Sequence, residues 1–295
     1  MNRIKELEAH SIYILREAYK EFKYKNLCML WSIGKDSTVM LALTRKAFFG
    51  HIPFPLVHID THYKIPEMIS YRNRLAMELK FELIYGENAK ALEKKLTFPD
   101  GNVDRITCCR YLKSDALKNT LSGEWPRYRL NHNTGKFEIW DNKEPFGGVI
   151  VGIRADEEGS RSKERYFSPR GEDSEWNISE QPPEIWNFFN TNFPPKTHIR
   201  IHPLLDWTEL DICEYIAIEK IPVVSLYFNN GQNQRYRSLG CYPCTKPIVS
   251  GAKTVEDIVN ELRTGKLSKI AERSGREQDK EDRGTLETLR KDGYM

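Results

Sequence analysis

The chain has 295 residues, of which 39% are hydrophobic, 11% aromatic and 29% charged, and its formal net charge is +3. These proportions fit a soluble globular protein with a sizeable core, either one large domain or a domain with an appendage. The near-neutral charge gives no support for strong autonomous nucleic-acid binding. No apolar run approaches the roughly 18 residues needed to cross a bilayer, and Met1-Asn2-Arg3-Ile4-Lys5-Glu6 lacks the apolar core of a signal segment. A cytoplasmic location is therefore expected.

Apolar residues from Ile4 to Phe22 recur on one helical face, which predicts a first helix. A buried strand over Leu27 to Trp31 follows, then a loop from Ser32 to Ser37 and a helix from Thr38 to Phe49. A second strand is expected over Pro55–Asp60, a helix over Lys64–Leu79 and a third strand over Phe81–Tyr85. Cys109–Leu121 reads as helix and Gly148–Ile153 as a fourth strand. The polar stretch 122–147, which carries Trp125, Tyr128 and Trp140, reads as an inserted loop or hairpin. Five prolines between Ser168 and Pro195 predict a segment that wraps the surface. Helices are expected over Leu205–Glu219, with Asp206 near its cap, and over Thr254–Gly265, with Thr254 as N-cap. The charged stretch Ala271–Met295 reads as a tail that orders only against a partner.

Alternating strands and helices predict an α/β fold, a mostly parallel sheet with helices on both faces. Ligands of such sheets bind beyond the carboxyl ends of the strands, where the Ser32 loop, Asp60 and Arg154 fall. We divide the chain into a nucleotide domain over 1–220, containing the 122–147 insertion, and a C-terminal segment over 221–295.

Ser32-Ile33-Gly34-Lys35-Asp36-Ser37 follows a strand and opens a helix. Backbone amides at a helix N-terminus form an anion site, Gly34 permits close approach, and Ser32, Ser37 and Lys35 add hydroxyls and charge. A plain Ser/Asp helix cap is the alternative. The spacing of a Walker A loop is absent.

The loop resembles that of PP-loop ATP pyrophosphatases of the PAPS reductase superfamily, which have a Rossmann-like adenine nucleotide alpha hydrolase fold. The likeness is nearest to the small, catalytic subunit of bacterial sulfate adenylyltransferase. It runs through Ser32–Leu41, Phe54–Thr61, Ile153–Arg165, His202–Ile212, Arg235–Cys241 and Gly293-Tyr294. The resemblance implies ATP bound by Ser32, Ile33, Gly34, Lys35, Asp36, Ser37, Asp60, Gly152, Arg154, Arg235 and Arg237. It implies Lys35, Asp36, Arg154 and Arg161 as catalytic, with Asp60 meeting the ribose. Asp156 and Glu157 become Mg²⁺ candidates, because that ion prefers oxygen ligands. A solvated helix laced by ion pairs is the competing reading of Arg154–Arg165.

Cys108-Cys109 and the distant Cys241-x-x-Cys244 form a set of four thiols. Thiolates of this kind bind zinc or iron–sulfur clusters. Neighbouring cysteines rarely reach one zinc ion without strain, whereas a cubane offers each a separate iron. The arrangement resembles the [4Fe-4S] ligands of adenylylsulfate reductases, with Lys113 and Lys246 placed to offset cluster charge. A structural zinc and unrelated thiols stay open. Cys28 and Cys213 lie in apolar patterns and read as packing residues.

The expected activity is cleavage of ATP to AMP and pyrophosphate that activates an acceptor for sulfur incorporation. DNA phosphorothioate modification is the leading reading, since it gives the phosphate loop and the cluster each a task. Its partners would be a cysteine desulfurase and DNA-modification subunits, with DNA reached through them. The alternative is the small subunit of sulfate adenylyltransferase, working with a GTPase subunit. A nucleotide-sensing subunit is a third reading. An adenylylsulfate or PAPS reductase is disfavoured, because no cysteine follows Cys244.

Overall fold

The computed structural model describes residues 2–23, 26–157, 159–171, 175–176, 181, 183–186, 188–189, 191, 197–267 and 270–277. Its centre is an eight-stranded sheet. The strands are β1 (Leu27–Leu30), β2 (Leu56–Ile59), β3 (Leu83–Gly86), β4 (Arg127–Leu130), β5 (Phe137–Trp140), β6 (Gly148–Ile150), β7 (Phe167–Arg170) and β8 (His198–Ile201). They lie in the order β5-β4-β3-β2-β1-β6-β8-β7. The five inner strands, β3-β2-β1-β6-β8, are parallel, and antiparallel strands close both edges.

Alternation along β1 divides the core into two layers. Leu27, Met29 and Trp31 enter one cluster with helices α1 (Arg3–Phe22), α2 (Lys35–Ala47), α3 (Pro66–Leu79) and α7 (Glu209–Glu219). Cys28 and Leu30 enter the other, against α6 (Ala116–Ser122) and Phe146. Successive strand side chains point to opposite faces, so a fully buried strand feeds both layers. Cys28 and Cys213 are buried packing residues, and burial pushes the Cys213 thiol up to about 12.

Helix α2 begins at Lys35, three residues before the expected start. Gly34 takes the N-cap position, so Lys35, Asp36 and Ser37 occupy the first helical turn. Helix α7 begins at Glu209. Its N-cap is Thr208, in a reciprocal box with Asp211, in place of Asp206. Helix α8 (Val255–Arg263) has the expected Thr254 cap.

The 122–147 insertion is a hairpin, β4–β5, that adds two strands to the sheet edge. Its aromatics are engaged within the protein. Tyr128 stacks on Tyr85 at 4.7 Å between ring centroids, the Arg127 guanidinium lies over Trp140, and Trp125 and Trp140 pack on the second core cluster.

Strands β7 and β8 had no expected counterpart. In β8 the residues His198 and Arg200 alternate with Ile199 and Ile201, and all four are buried. The polar side is accommodated by a buried network in which Glu164 binds Arg170 at 2.8 Å and Ser168 Oγ donates to Glu164 at 2.8 Å. A charged residue in a central strand masks the hydrophobic pattern that a sequence reading uses.

Beyond the short helix α4 (Ala89–Glu93), helix α5 (Arg105–Cys109), capped by Asp104, runs into α6 through a π-helical stretch, Arg110–Asp115. Short strands β9 (Gln234–Arg235) and β10 (Ile248–Val249) pair antiparallel and frame the second cysteine loop. Residues 271–277, expected within a tail without its own order, pack against the protein. Residues 278–295 lie outside the described residues.

Candidate functional site

The crossover between β1 and β6 leaves a crevice beyond their carboxyl ends, the usual ligand position in open parallel sheets. The Ser32–Ser37 loop leaves β1 there, and Gly152 follows β6. A cleft of about 140 Å³ opens between them, lined by Ser32, Gly34, Lys35, Asp36, Ser37 and Gly152. Glu157, Arg161, Lys64, Lys113, Ser238, Glu272, Arg273 and Arg276 complete its wall.

The loop is built to present its backbone. Ile33 holds a left-handed conformation, φ 72°, with its side chain buried, which turns the chain sharply into α2. For a β-branched residue this is a strained choice. Ser32 Oγ and Ser37 Oγ lie 3.1 Å apart. Gly34, as N-cap, supplies no side chain to satisfy the first amides of α2. The Lys35 amide donates to the Tyr227 hydroxyl at 2.8 Å. A Cβ on Gly152, just past β6, would come within 3.3 Å of the Ser37 amide nitrogen, so any side chain there would push the loop back by a few tenths of an ångström.

Behind the loop, Arg154 is fully buried and binds Asp36, Glu272 and Asp156. Lys35 Nζ binds Glu272, and Asp36 at 3.3 Å. Burial draws the Lys35 ammonium down, but Asp36 and Glu272 outweigh it and hold the group well above its ordinary value. Burial likewise raises the Glu272 carboxyl, and Lys35 and Arg154 overcome that to hold it below the usual range. Glu157 pairs with Arg161 and, at 3.1 Å, with Arg273. Burial acts to raise its carboxyl, but the three arginines Arg161, Arg273 and Arg154 drive it down.

The structure does not bring every expected residue to this cleft. Asp60 is held by Arg72 at 3.1 Å and accepts from the His62 amide at 2.9 Å. Asp156 accepts from Arg154 at 3.0 Å and from the first amide of α7 at 3.0 Å, which directs it away from an ion in the cleft. Arg235 binds Ser250 and Glu261, bracing α8. Arg237 makes a bidentate pair with Glu209. Among the described residues these four do not line the cleft. Their charge is satisfied by partners between 2 and 53 residues away that only the folded chain sets against them.

Magnesium is implied by phosphate chemistry. Among the described residues no three His, Cys, Asp or Glu side chains converge on one ion. One or two carboxylates with phosphate oxygens suffice for this ion, and Asp36 and Glu157 on the cleft wall fit that lesser requirement.

Cys108, Cys109, Cys241 and Cys244 line one small cavity of about 20 Å³, with Lys113 on its wall. Lys113 Nζ donates to Cys109 Sγ at 3.2 Å, and Thr61 Oγ1 lies 3.2 Å from Cys241 Sγ. The second cysteine loop is pinned to the turn after β2 by a bridge between Lys64 and Cys241 and by Tyr242 N to Tyr63 O at 2.6 Å. Burial acts to raise the Cys241 thiol, yet Lys113 and Lys64 bring it below its ordinary value. Burial pushes Cys108 up to about 11. Four soft donors line one cavity with cations beside them, and thiolates of this kind are ligands of zinc and of iron–sulfur groups alike. Lys113 and Lys64 line the nucleotide cleft as well as neighbouring this cavity, so the two sites adjoin.

Sequence reasoning missed Glu272, Arg273, Arg276, Lys64 and Tyr227. Glu272 and its neighbours lie in a charged stretch without periodicity, and nothing along the chain marks it as buried.

Residues 26–247 match the family model for the phosphoadenosine phosphosulfate reductase domain. The chain is 37% identical to a "Sulfate adenylyltransferase subunit 2" of Sulfurimonas denitrificans, with 100% of this chain and 98% of that protein covered. It is 36% identical to a protein of the same name from Pseudomonas fluorescens, covering 100% and 99%. Among solved structures, a phosphoadenylyl-sulfate reductase from Candida auris aligns with TM-score 0.50 and 16% identity, over 84% of this chain and 98% of that one. An FMN adenylyltransferase from Candida glabrata aligns with TM-score 0.52 and 14% identity, over 83% of this chain and 64% of that one. At such identities the structural likeness speaks for the fold alone.

Proposed function

The chain belongs to the phosphoadenosine phosphosulfate reductase domain family, and from that membership we propose that it is an ATP-dependent adenylyltransferase of sulfur metabolism, the catalytic subunit of a sulfate adenylyltransferase. The observation that carries this reading is full-length similarity to sulfate adenylyltransferase subunit 2, together with a phosphate cradle at the strand crossover. The name of those relatives implies a companion subunit, and a GTPase fills that role in this proposal.

In the reaction a sulfate oxygen attacks the α-phosphorus of ATP, the bond to the bridging α–β oxygen breaks, and pyrophosphate leaves. Phosphoryl and adenylyl transfers depend mainly on positioning and on stabilisation of developing charge. The α2 amides, Ser32 and Ser37 would hold the departing pyrophosphate. Lys35 and Arg161 would neutralise it, with Arg154 fixing Asp36 from behind. Magnesium would supply further neutralisation of phosphate oxygens, held by Asp36 or Glu157. The division at residue 220 into a nucleotide domain and a cysteine-bearing segment belongs to the same proposal.

The test is sulfate-dependent exchange of labelled pyrophosphate into ATP, measured with the partner subunit present. Exchange should require sulfate and fall by about 10²–10³ in Lys35→Ala, the usual cost of losing one group that stabilises developing charge. ATP-to-AMP turnover that ignores sulfate would reject the reading in favour of another acceptor. A DNA acceptor, the leading expectation from sequence, draws no support from the insertion, whose aromatics are occupied within the protein.

The four cysteines carry a second, compatible reading, an iron–sulfur cluster held by Cys108, Cys109, Cys241 and Cys244. Their convergence on one cavity supports it. Anaerobically prepared protein should contain iron and inorganic sulfide and show broad thiolate-to-iron absorbance, both lost in Cys108→Ser. Zinc without sulfide would replace the cluster by a mononuclear site.

A further inference from the structure

We propose that Glu272 is a built-in occupant of the phosphate seat, so that nucleotide entry must release the strap formed by residues 271–277 and thereby loosen the cysteine loop. The proposal rests on the reading of the Ser32–Ser37 loop as an ATP phosphate site.

The Glu272 carboxylate lies in the cleft wall, bound at once to Lys35 of the loop and to Arg154 behind it. Its side chain is 10% exposed. A carboxylate and a phosphate oxygen present the same charge and accept from the same donors, so one can stand where the other will go. Both cannot stay. Glu157 is already near enough to Glu272 to oppose its ionisation, and a polyphosphate would add several negative charges to a site with little screening by water. The carboxylate must yield, and the nucleotide must outcompete an intramolecular ion pair at full effective concentration.

The strap is tied on the C-terminal side of this contact. Arg273 reaches Glu157 at 3.1 Å. Arg276 donates from Nε to Ser238 Oγ at 3.0 Å and pairs in a bridge with Thr245. The Lys246 amide donates to the Gly275 carbonyl at 2.8 Å. Thr245 and Lys246 directly follow Cys244. Withdrawal of Glu272 therefore pulls on the segment that fixes one side of the cysteine cavity. A ligand shifts such an equilibrium only through its different affinity for the two states, and the shared seat supplies that difference.

The experiment is titration of the full chain with pyrophosphate by calorimetry, with EDTA or with Mg²⁺, in the natural protein, Glu272→Gln and Lys35→Ala. Removing the competing charge should tighten pyrophosphate binding by about tenfold or more in EDTA, and Lys35→Ala should abolish binding. An unchanged or weaker affinity in Glu272→Gln overturns the proposal, and weakening confined to Mg²⁺ would assign the carboxylate to the metal instead. Pyrophosphate binding that survives Lys35→Ala would displace the phosphate site itself, a failure distinct from an unaltered Glu272→Gln. Hydrogen exchange in the natural protein gives an independent readout. Pyrophosphate should speed exchange at the Lys246 and Arg276 amides, and protection there would overturn strap release even if the variant folds poorly.

Discussion

Arg154 shows how one residue sets both stability and chemistry. Its guanidinium is fully buried among Asp36, Asp156 and Glu272, so Arg154→Ala strands carboxylates without their cation. Breaking a buried pair from one side costs about 3–5 kcal/mol, and urea unfolding should register a loss of that order. His202 and His58 act through protonation. Burial draws His202 down to about 4 and His58 to about 3, and His198 is lowered by burial and by Arg200 and Arg170. Each is depressed below the unfolded value near 6.5, so the unfolded chain binds protons first as pH falls. Their contribution is fully present above about pH 6.5 and declines by about 1.4 kcal/mol per pH unit per histidine as pH drops toward 4. Unfolding free energies at pH 7, 6 and 5 should trace that fall, ahead of carboxylate protonation. A flat profile would show that these rings are not buried in neutral form.

At the scale of elements, two short contacts carry predictions. Thr208 caps α7, and its partner Asp211 also receives Arg3 of α1 at 2.9 Å. Thr208→Ala should cost about 1 kcal/mol, the usual value of an N-cap side chain, read as a shifted denaturation midpoint without a change in slope. Gly152→Ala sets a methyl 3.3 Å from the Ser37 amide. It should displace the phosphate loop by a few tenths of an ångström and slow pyrophosphate exchange about tenfold or more, while the melting temperature moves little. Equal exchange rates in the two proteins would mean that this approach does not shape the site. The loop, α2 and the inner strands β1, β2, β3 and β6 were legible in sequence, because apolar runs and a Ser-Ile-Gly-Lys-Asp-Ser turn are local signals. Strand β8 was not, because His198 and Arg200 hide its period. On its polar face Arg200 lies in the field of Arg170 and Glu164, charges that only the folded chain brings together.

For the whole molecule, the nucleotide cleft and the cysteine cavity adjoin through Lys64 and Lys113. Among the described residues no helix is long and apolar enough to cross a membrane. The sequence by itself determined the parallel-sheet class, the family, the strand-to-helix turn of the Ser32 loop and the pairing of two cysteine motifs. Each is written in contiguous residues whose spacing or chemistry is specific. Its choice of a DNA acceptor followed from the cysteines, whereas full-length similarity to sulfate adenylyltransferase subunit 2 favours the sulfate alternative. Only the tertiary structure decided which charges face the cleft. It turned Asp60, Asp156, Arg235 and Arg237 toward other partners and carried Glu272 from the far end of the chain between Lys35 and Arg154. The physical reason is that a buried charge is assigned by the ion that satisfies it, and folding chooses that ion, from two residues away for Asp156 to 237 for Glu272.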